Sequence, residues 1–265
     1  MARSPRDSGF ELIKWYLDCV SEEGEVFIGY SARLRWRAVS VHYSSSFQLR
    51  DGEPEETSSL RRSSQPVSEG AVLAWRCPSL QLNGKWSALE EPLEATVYDS
   101  ELGAVEWQCL QPRASAEVES CGLGNMSGLG YAERLTLSVP PWRIPIRELH
   151  WGRFLSATDS LIWIDWRGEH STQLVFSNGA PARASRLKET GLLLDDGTTL
   201  LLDDRKALRN GPLGGVLSRV PGLGSLVPGR IFDAREQKWR SRGVLRRPDG
   251  RRVTGWAIHE VVTWP

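Results

Sequence analysis

The stretch GYAERLTLS, residues 130–138, alternates strictly between two kinds of side chain. In an extended chain Tyr131, Glu133, Leu135 and Leu137 fall on one face, and Ala132, Arg134 and Thr136 on the other. A period of two marks a half-buried β-strand and excludes an amphipathic helix. The Tyr131 face is the more apolar and is expected to point inward, carrying a phenol and a carboxylate with it.

The same period runs outward through most of the chain. Phe10–Val20 and residues 24–37 read as two strands joined by Ser-Glu-Glu-Gly, and Val39–Leu49 as a third. Residues 50–70 are polar and read as a loop. Strands follow at 71–76, 80–82, 95–99, 104–111 and 114–119, with Asn83-Gly84 as a hairpin turn. Beyond residue 130, strands are expected at 131–139, 149–157, 160–167, 171–177, 186–194, 198–204, 238–245 and 254–264. Asp195-Asp196-Gly197 and Pro248-Asp249-Gly250 read as their hairpin turns. One short helix is expected at 205–210. Many short strands between regular turns define an all-β sandwich or barrel.

Charge divides the chain in two. The whole is neutral, with 33 basic and 33 acidic residues, which excludes a polycation that grips nucleic acid. Residues 1–127 carry net −7 and residues 128–265 net +7. The change falls at SCGLGNMSGLG, residues 120–130, a charge-free, glycine-rich stretch. The expectation is two domains, 1–122 and 128–265, drawn together by opposite charge. Twelve Trp and an Arg-dominated basic set suit the lining of pockets and interfaces.

Residues 1–17 lack the apolar core of a signal peptide, and no apolar run is long enough for a membrane helix. A cytoplasmic protein is expected, and no integral membrane span. Cys19, Cys77, Cys109 and Cys121 lack the spacing of a zinc site or disulfide framework and read as buried thiols. His42, His150, His170 and His259 have no ligand spacing, so no metal is expected. The cluster Arg240, Arg242, Arg246, Arg247, Arg251 and Arg252 reads as a solvated face. Its minority reading is docking to the acidic half or to anionic head groups, a peripheral membrane contact. The glycines at 122–130 precede no helix and form no phosphate loop. No nucleophile elbow, P-loop or HExxH is present.

Three segments carry candidate chemistry. Glu133 among Leu side chains is a carboxyl whose desolvation favours the neutral acid. On the next strand, alternation places Trp151, Arg153 and Leu155 together. If the two strands pair, Arg153 reaches Glu133, and the alternative reading is a buried ion pair that only orders the barrel. Residues 105–112, VEWQCLQP, put Val105, Trp107, Cys109 and Gln111 on one face. Trp107 there reads either as ordinary core or as the wall of a cavity.

These segments carry a family resemblance. KWYLDCVSEEG, residues 14–24, resembles the WWYFDxxSDDG opening of the carotenoid 1,2-hydratase family, the hydroxyneurosporene synthases. WQCLQPRASAEV, residues 107–118, resembles its WxxxxPxAxxEV strand. GYAERLTLSVPPWRIPIRELHWGR, residues 130–153, resembles its GxxYLDxNxG…WxWxR segment. The resemblance implies two lipocalin-like antiparallel β-barrel domains packed side by side, and a long lipophilic ligand. It also implies that Glu133 stands at the aspartate that protonates the substrate alkene, beside Tyr131, with Trp107, Trp151 and Arg153 binding substrate. Val105 replaces the family's histidine, and Glu133 its aspartate. Leu135 and Leu149 replace an asparagine and a tryptophan. The reaction implied is hydration or cyclisation of a C=C bond, with no cofactor. The rival reading is a lipocalin-like carrier that binds a hydrophobic small molecule without catalysis. The sequence leaves the oligomeric state open.

Overall fold

In the computed structural model, residues 9–50, 52, 54–62, 64–120, 124–213 and 233–265 are described. The expectations for residues 1–8 and Cys121 lie outside them. The fold is all-β, with about 73 % of the described residues in strands. Among the described residues no helix is long and apolar enough to cross a membrane. Two compact units divide the chain: 9–21 with 25–144, and 22–24 with 145–265.

The first unit is one ten-stranded sheet. Its strands are β1 (Phe10–Val20), β2 (Val26–Trp36), β3 (Val39–Leu49), β4 (Glu55–Ser59), β5 (Val67–Glu69), β6 (Val72–Cys77), β7 (Leu82–Ala88), β8 (Leu93–Ser100), β9 (Gly103–Ser120) and β10 (Gly124–Leu137). The order is β4-β3-β2-β1-β10-β9-β7-β6-β5, with β8 on β9. The sheet curls into a nearly closed barrel. The short 3-10 turn Pro78–Leu80 packs near β3 and β4, and Gln48 Nε2 donates to Ser120 Oγ at 3.0 Å. The odd residues of β1 fill this barrel, Trp15, Leu17 and Cys19 packing with Phe27, Trp75, Trp86, Ala116 and Ala132.

The second unit is a nine-stranded sheet. It comprises β11 (Ile146–Leu155), β12 (Ser160–Gly168), β13 (Thr172–Ser177), β14 (Ala180–Ala182), β15 (Ala184–Lys188), β16 (Gly191–Leu194), β17 (Thr199–Pro212), β18 (Arg235–Arg246) and β19 (Arg252–Thr263). The order is β14-β13-β12-β11-β19-β18-β17-β16-β15. Phe154, Leu161, Trp163, Leu200, Leu245 and Ala257 build its own core.

Several local expectations are corrected. The boundary expected at 120–130 falls inside the first unit, because β10 hydrogen-bonds to both β1 and β9; the division comes at 144/145. Residues 121–123 of that stretch are outside the described residues. The polar stretch 50–70 contributes the edge strands β4 and β5. Residues 205–210 are not helix but part of β17. Asn83-Gly84 is no turn and lies within β7; its glycine is needed because an added Cβ would stand 2.6 Å from the Trp86 ring. The turn comes earlier, at Pro78–Leu80, where Gln81 takes the left-handed conformation.

Candidate functional site

Positions opposite one another across a β-ladder share a face of the sheet. In the β1–β10 ladder Tyr16 stands opposite Glu133, and Asp18 opposite Tyr131. In the β10–β9 ladder Cys109 stands opposite Glu133, and Trp107 opposite Leu135. In the β1–β2 ladder Tyr30 stands opposite Tyr16. One face of the first sheet therefore gathers two carboxyl groups, three phenols, an indole and a thiol. It is the face opposite the barrel core, since β1 gives its odd residues to that core and its even residues here.

Glu133 is 5 % exposed and its Oε2 accepts two hydrogen bonds. The Trp107 indole Nε1–H donates at 2.6 Å and the Tyr131 hydroxyl at 2.6 Å. Tyr16 OH donates to Asp18 Oδ2 at 2.9 Å, and Asp18 is fully buried. The Tyr16 ring meets Tyr131 edge-on at 6.0 Å and Tyr30 at 5.4 Å. The Lys14 ammonium lies 5.2 Å over the Tyr30 ring. Burial, then Cys109 and Glu133 beside it, hold the Tyr131 phenol well above its ordinary range. Burial likewise pushes the Cys109 thiol up. Tyr131 is thus a hydrogen-bond donor and not a phenolate, and Cys109 stays a thiol.

Main-chain fit fixes this geometry from the other side. The Trp86 indole, inside the barrel, donates to the main-chain oxygen of Asp18 at 2.7 Å. Gly130 admits it, because a Cβ there would sit 2.6 Å from Trp86 Cδ1 and 2.7 Å from Asp18 O. Pro112 lies within β9 where its outer partner changes from β8 to β7, and no ladder pair includes it, so the missing N–H leaves no pair broken.

The structure brings Tyr131, Glu133 and Trp107 together. Trp151 and Arg153 belong to the second unit, on one face of β11. The pairing of their strand with that of Glu133 does not form: β10 pairs with β1 and β9, and β11 with β12 and β19. Arg153, fully buried, donates from Nη1 to Trp256 O at 2.9 Å. Trp151 lies 5.8 Å under the Lys238 ammonium, which is paired with Glu236 at 3.2 Å and Glu260 at 2.5 Å. Val105, at the histidine position of the resemblance, is fully buried. Asp18 and Tyr16 were not singled out from the sequence as site residues. The available signal was the alternation Lys14, Tyr16, Asp18, which mirrors Tyr131, Glu133 on the partner strand. Among the described residues no cluster of His, Cys, Asp and Glu is arranged to hold a metal ion. An open groove of about 570 Å³ is lined by Asn83, Lys85, Glu117, Glu119 and Asn125, among others. Apolar Val72, Ala74, Val118 and Met126 line it as well, and it shares no residue with the Glu133 cluster.

No protein-family profile matches the chain, and no curated protein sequence does. Solved structures do match. The crystal structure of CghA with Sch210972 superposes with a TM-score of 0.61 at 11 % identity, covering 99 % of this chain and 93 % of that one. Kievitone hydratase from Nectria haematococca gives 0.56 at 10 % identity, covering 99 % and 93 %. A putative AttH from Nitrosomonas europaea gives 0.52 at 11 %, covering 97 % and 96 %. The chain has their fold. That likeness spans both units and agrees with the two lipocalin-like β-domains expected from the sequence.

Proposed function

We propose that the chain binds a lipophilic alkene of the isoprenoid or polyene class and adds water across, or cyclises, one of its double bonds. The observation that carries this reading is Glu133, a buried carboxyl with two hydrogen-bond donors fixed on one oxygen and aromatic rings around it. Glu133 acts as the proton donor. Donation to an alkene carbon leaves a tertiary cation and a carboxylate, and both donors stabilise that carboxylate. The π faces of Tyr131 and Trp107 favour the cation. Water then forms the C–O bond, and the proton it releases restores Glu133. In cyclisation a neighbouring alkene attacks instead, and loss of a proton from the ring restores the acid. Two neighbours of the same fold support the reading, one named as a hydratase and one crystallised with a small molecule. Within the isoprenoids, the sequence resemblance points to acyclic carotenoid-like polyenes.

The second reading is a non-catalytic carrier. It is favoured by Val105, which leaves an apolar side chain where the resemblance places a histidine. Incubation of the purified chain with lycopene in detergent micelles, followed by mass spectrometry, separates the two. Hydration yields a product heavier by one water, and cyclisation an isomer of equal mass. A carrier shows saturable quenching of Trp fluorescence and no product.

A further inference from the structure

We infer that Asp18 is the general base that takes a proton from the attacking water, working opposite Glu133. This rests on the alkene-hydration reading above and supplies the second half of its acid–base pair. Tyr16 and Asp18 on β1 and Tyr131 and Glu133 on β10 form two copies of one arrangement, a phenol two residues before a carboxyl. The antiparallel register sets Tyr16 opposite Glu133 and Asp18 opposite Tyr131. The carboxyl groups therefore occupy one diagonal of the ladder and the phenols the other. Each phenol donates to the carboxyl of its own strand, at 2.9 Å for Asp18 and 2.6 Å for Glu133, and the two rings meet edge-on.

Diagonal neighbours in an antiparallel ladder stand about 7–8 Å apart. This places both side chains on one face of the sheet, within reach of a single small substrate group between them. Trp107 and Tyr131 both donate to Glu133 Oε2 and stabilise the anion that proton donation creates, in keeping with its role as the acid in the reading above. Asp18 has a shorter side chain, and its main chain is pinned by Trp86 Nε1 at 2.7 Å, which suits a base held in one position. In one turnover Glu133 gives its proton to carbon and the C=C π bond breaks. Water oxygen bonds to the cation as Asp18 removes one of its protons. That proton then passes from Asp18 to Glu133, and both groups return to their starting state.

The test uses the full chain with lycopene micelles in D2O and reads two products, the alcohol and deuterium in recovered alkene. Wild type forms the alcohol. In Asp18→Asn, alcohol formation falls at least about 100-fold, the range of a lost general base. The recovered alkene still gains deuterium, because the cation returns a proton to Glu133. Asp18→Glu restores part of the alcohol, and Glu133→Gln loses both signals. Alcohol formed by Asp18→Asn at the wild-type rate overturns the inference. So does joint loss of both signals in Asp18→Asn and Asp18→Glu with a fallen melting temperature, which makes Asp18 a residue of the fold. A wild type that gives neither alcohol nor deuterated alkene overturns the hydration reading itself, and the base assignment with it.

Discussion

At the residue scale the proposed chemistry turns on one oxygen atom. Glu133 Oε2 holds two short hydrogen bonds in a buried setting, where removing one partner costs about 1–3 kcal/mol. Tyr131→Phe is expected to cost about that much stability by urea unfolding, since it removes a donor and leaves the acceptor in place. His259 gives an independent pH signature in the second unit. Burial, then Arg205 and His150, lower it from 6.5 to about 3, and it stays neutral against Ser241 Oγ at 2.8 Å with Trp239 stacked on it. The unfolded chain therefore binds this proton first. The stability His259 contributes is complete above pH 6.5 and is lost as pH falls toward about 3, at up to about 1.4 kcal/mol per pH unit. Asp159, also lowered, adds to the loss only below its ordinary value of 3.8. Unfolding free energies measured from neutral to mildly acid pH should show the slope, and His259→Asn should flatten it. The alternation of 130–138 and 105–112 made Tyr131, Glu133 and Trp107 legible in the sequence. Asp18 was not legible as a partner, because nothing local says that β1 lies beside β10.

At the element scale, close packing of backbone against indole sets the register. Gly130→Ala is expected to destabilise the chain by about 1–3 kcal/mol, the usual cost of overpacking. It should also disturb Asp18, since the new Cβ meets Asp18 O and Trp86 together. The melting temperature and the Trp fluorescence of Gly130→Ala check this. Strand existence was readable almost everywhere, and the misreadings share a cause. Residues 205–210 looked helical because the bulges between Asp203 and Lys206 and between Ala207 and Arg209 break the period of two. Asn83-Gly84 looked like a turn because its composition suits one, yet its glycine serves the Trp86 ring. The edge strands β4 and β5 are short and mostly exposed, so they carry no apolar stripe to read.

At the scale of the whole molecule, each unit has its own sheet and its own core, and Glu133 sits in the first. The glycine-rich stretch suggested a linker from composition alone. Long-range pairing of β10 with β1 overrode it, which moved Tyr131 and Glu133 from the expected second domain into the first. The central claim is that Glu133 is kept buried for proton transfer rather than for stability. The most direct measurement sets turnover of an acyclic isoprenoid alkene beside the melting temperature for wild type and Glu133→Gln. The account predicts that Glu133→Gln loses turnover while ligand binding and melting temperature stay near wild type. A variant that melts far lower and keeps wild-type turnover per folded molecule would contradict it.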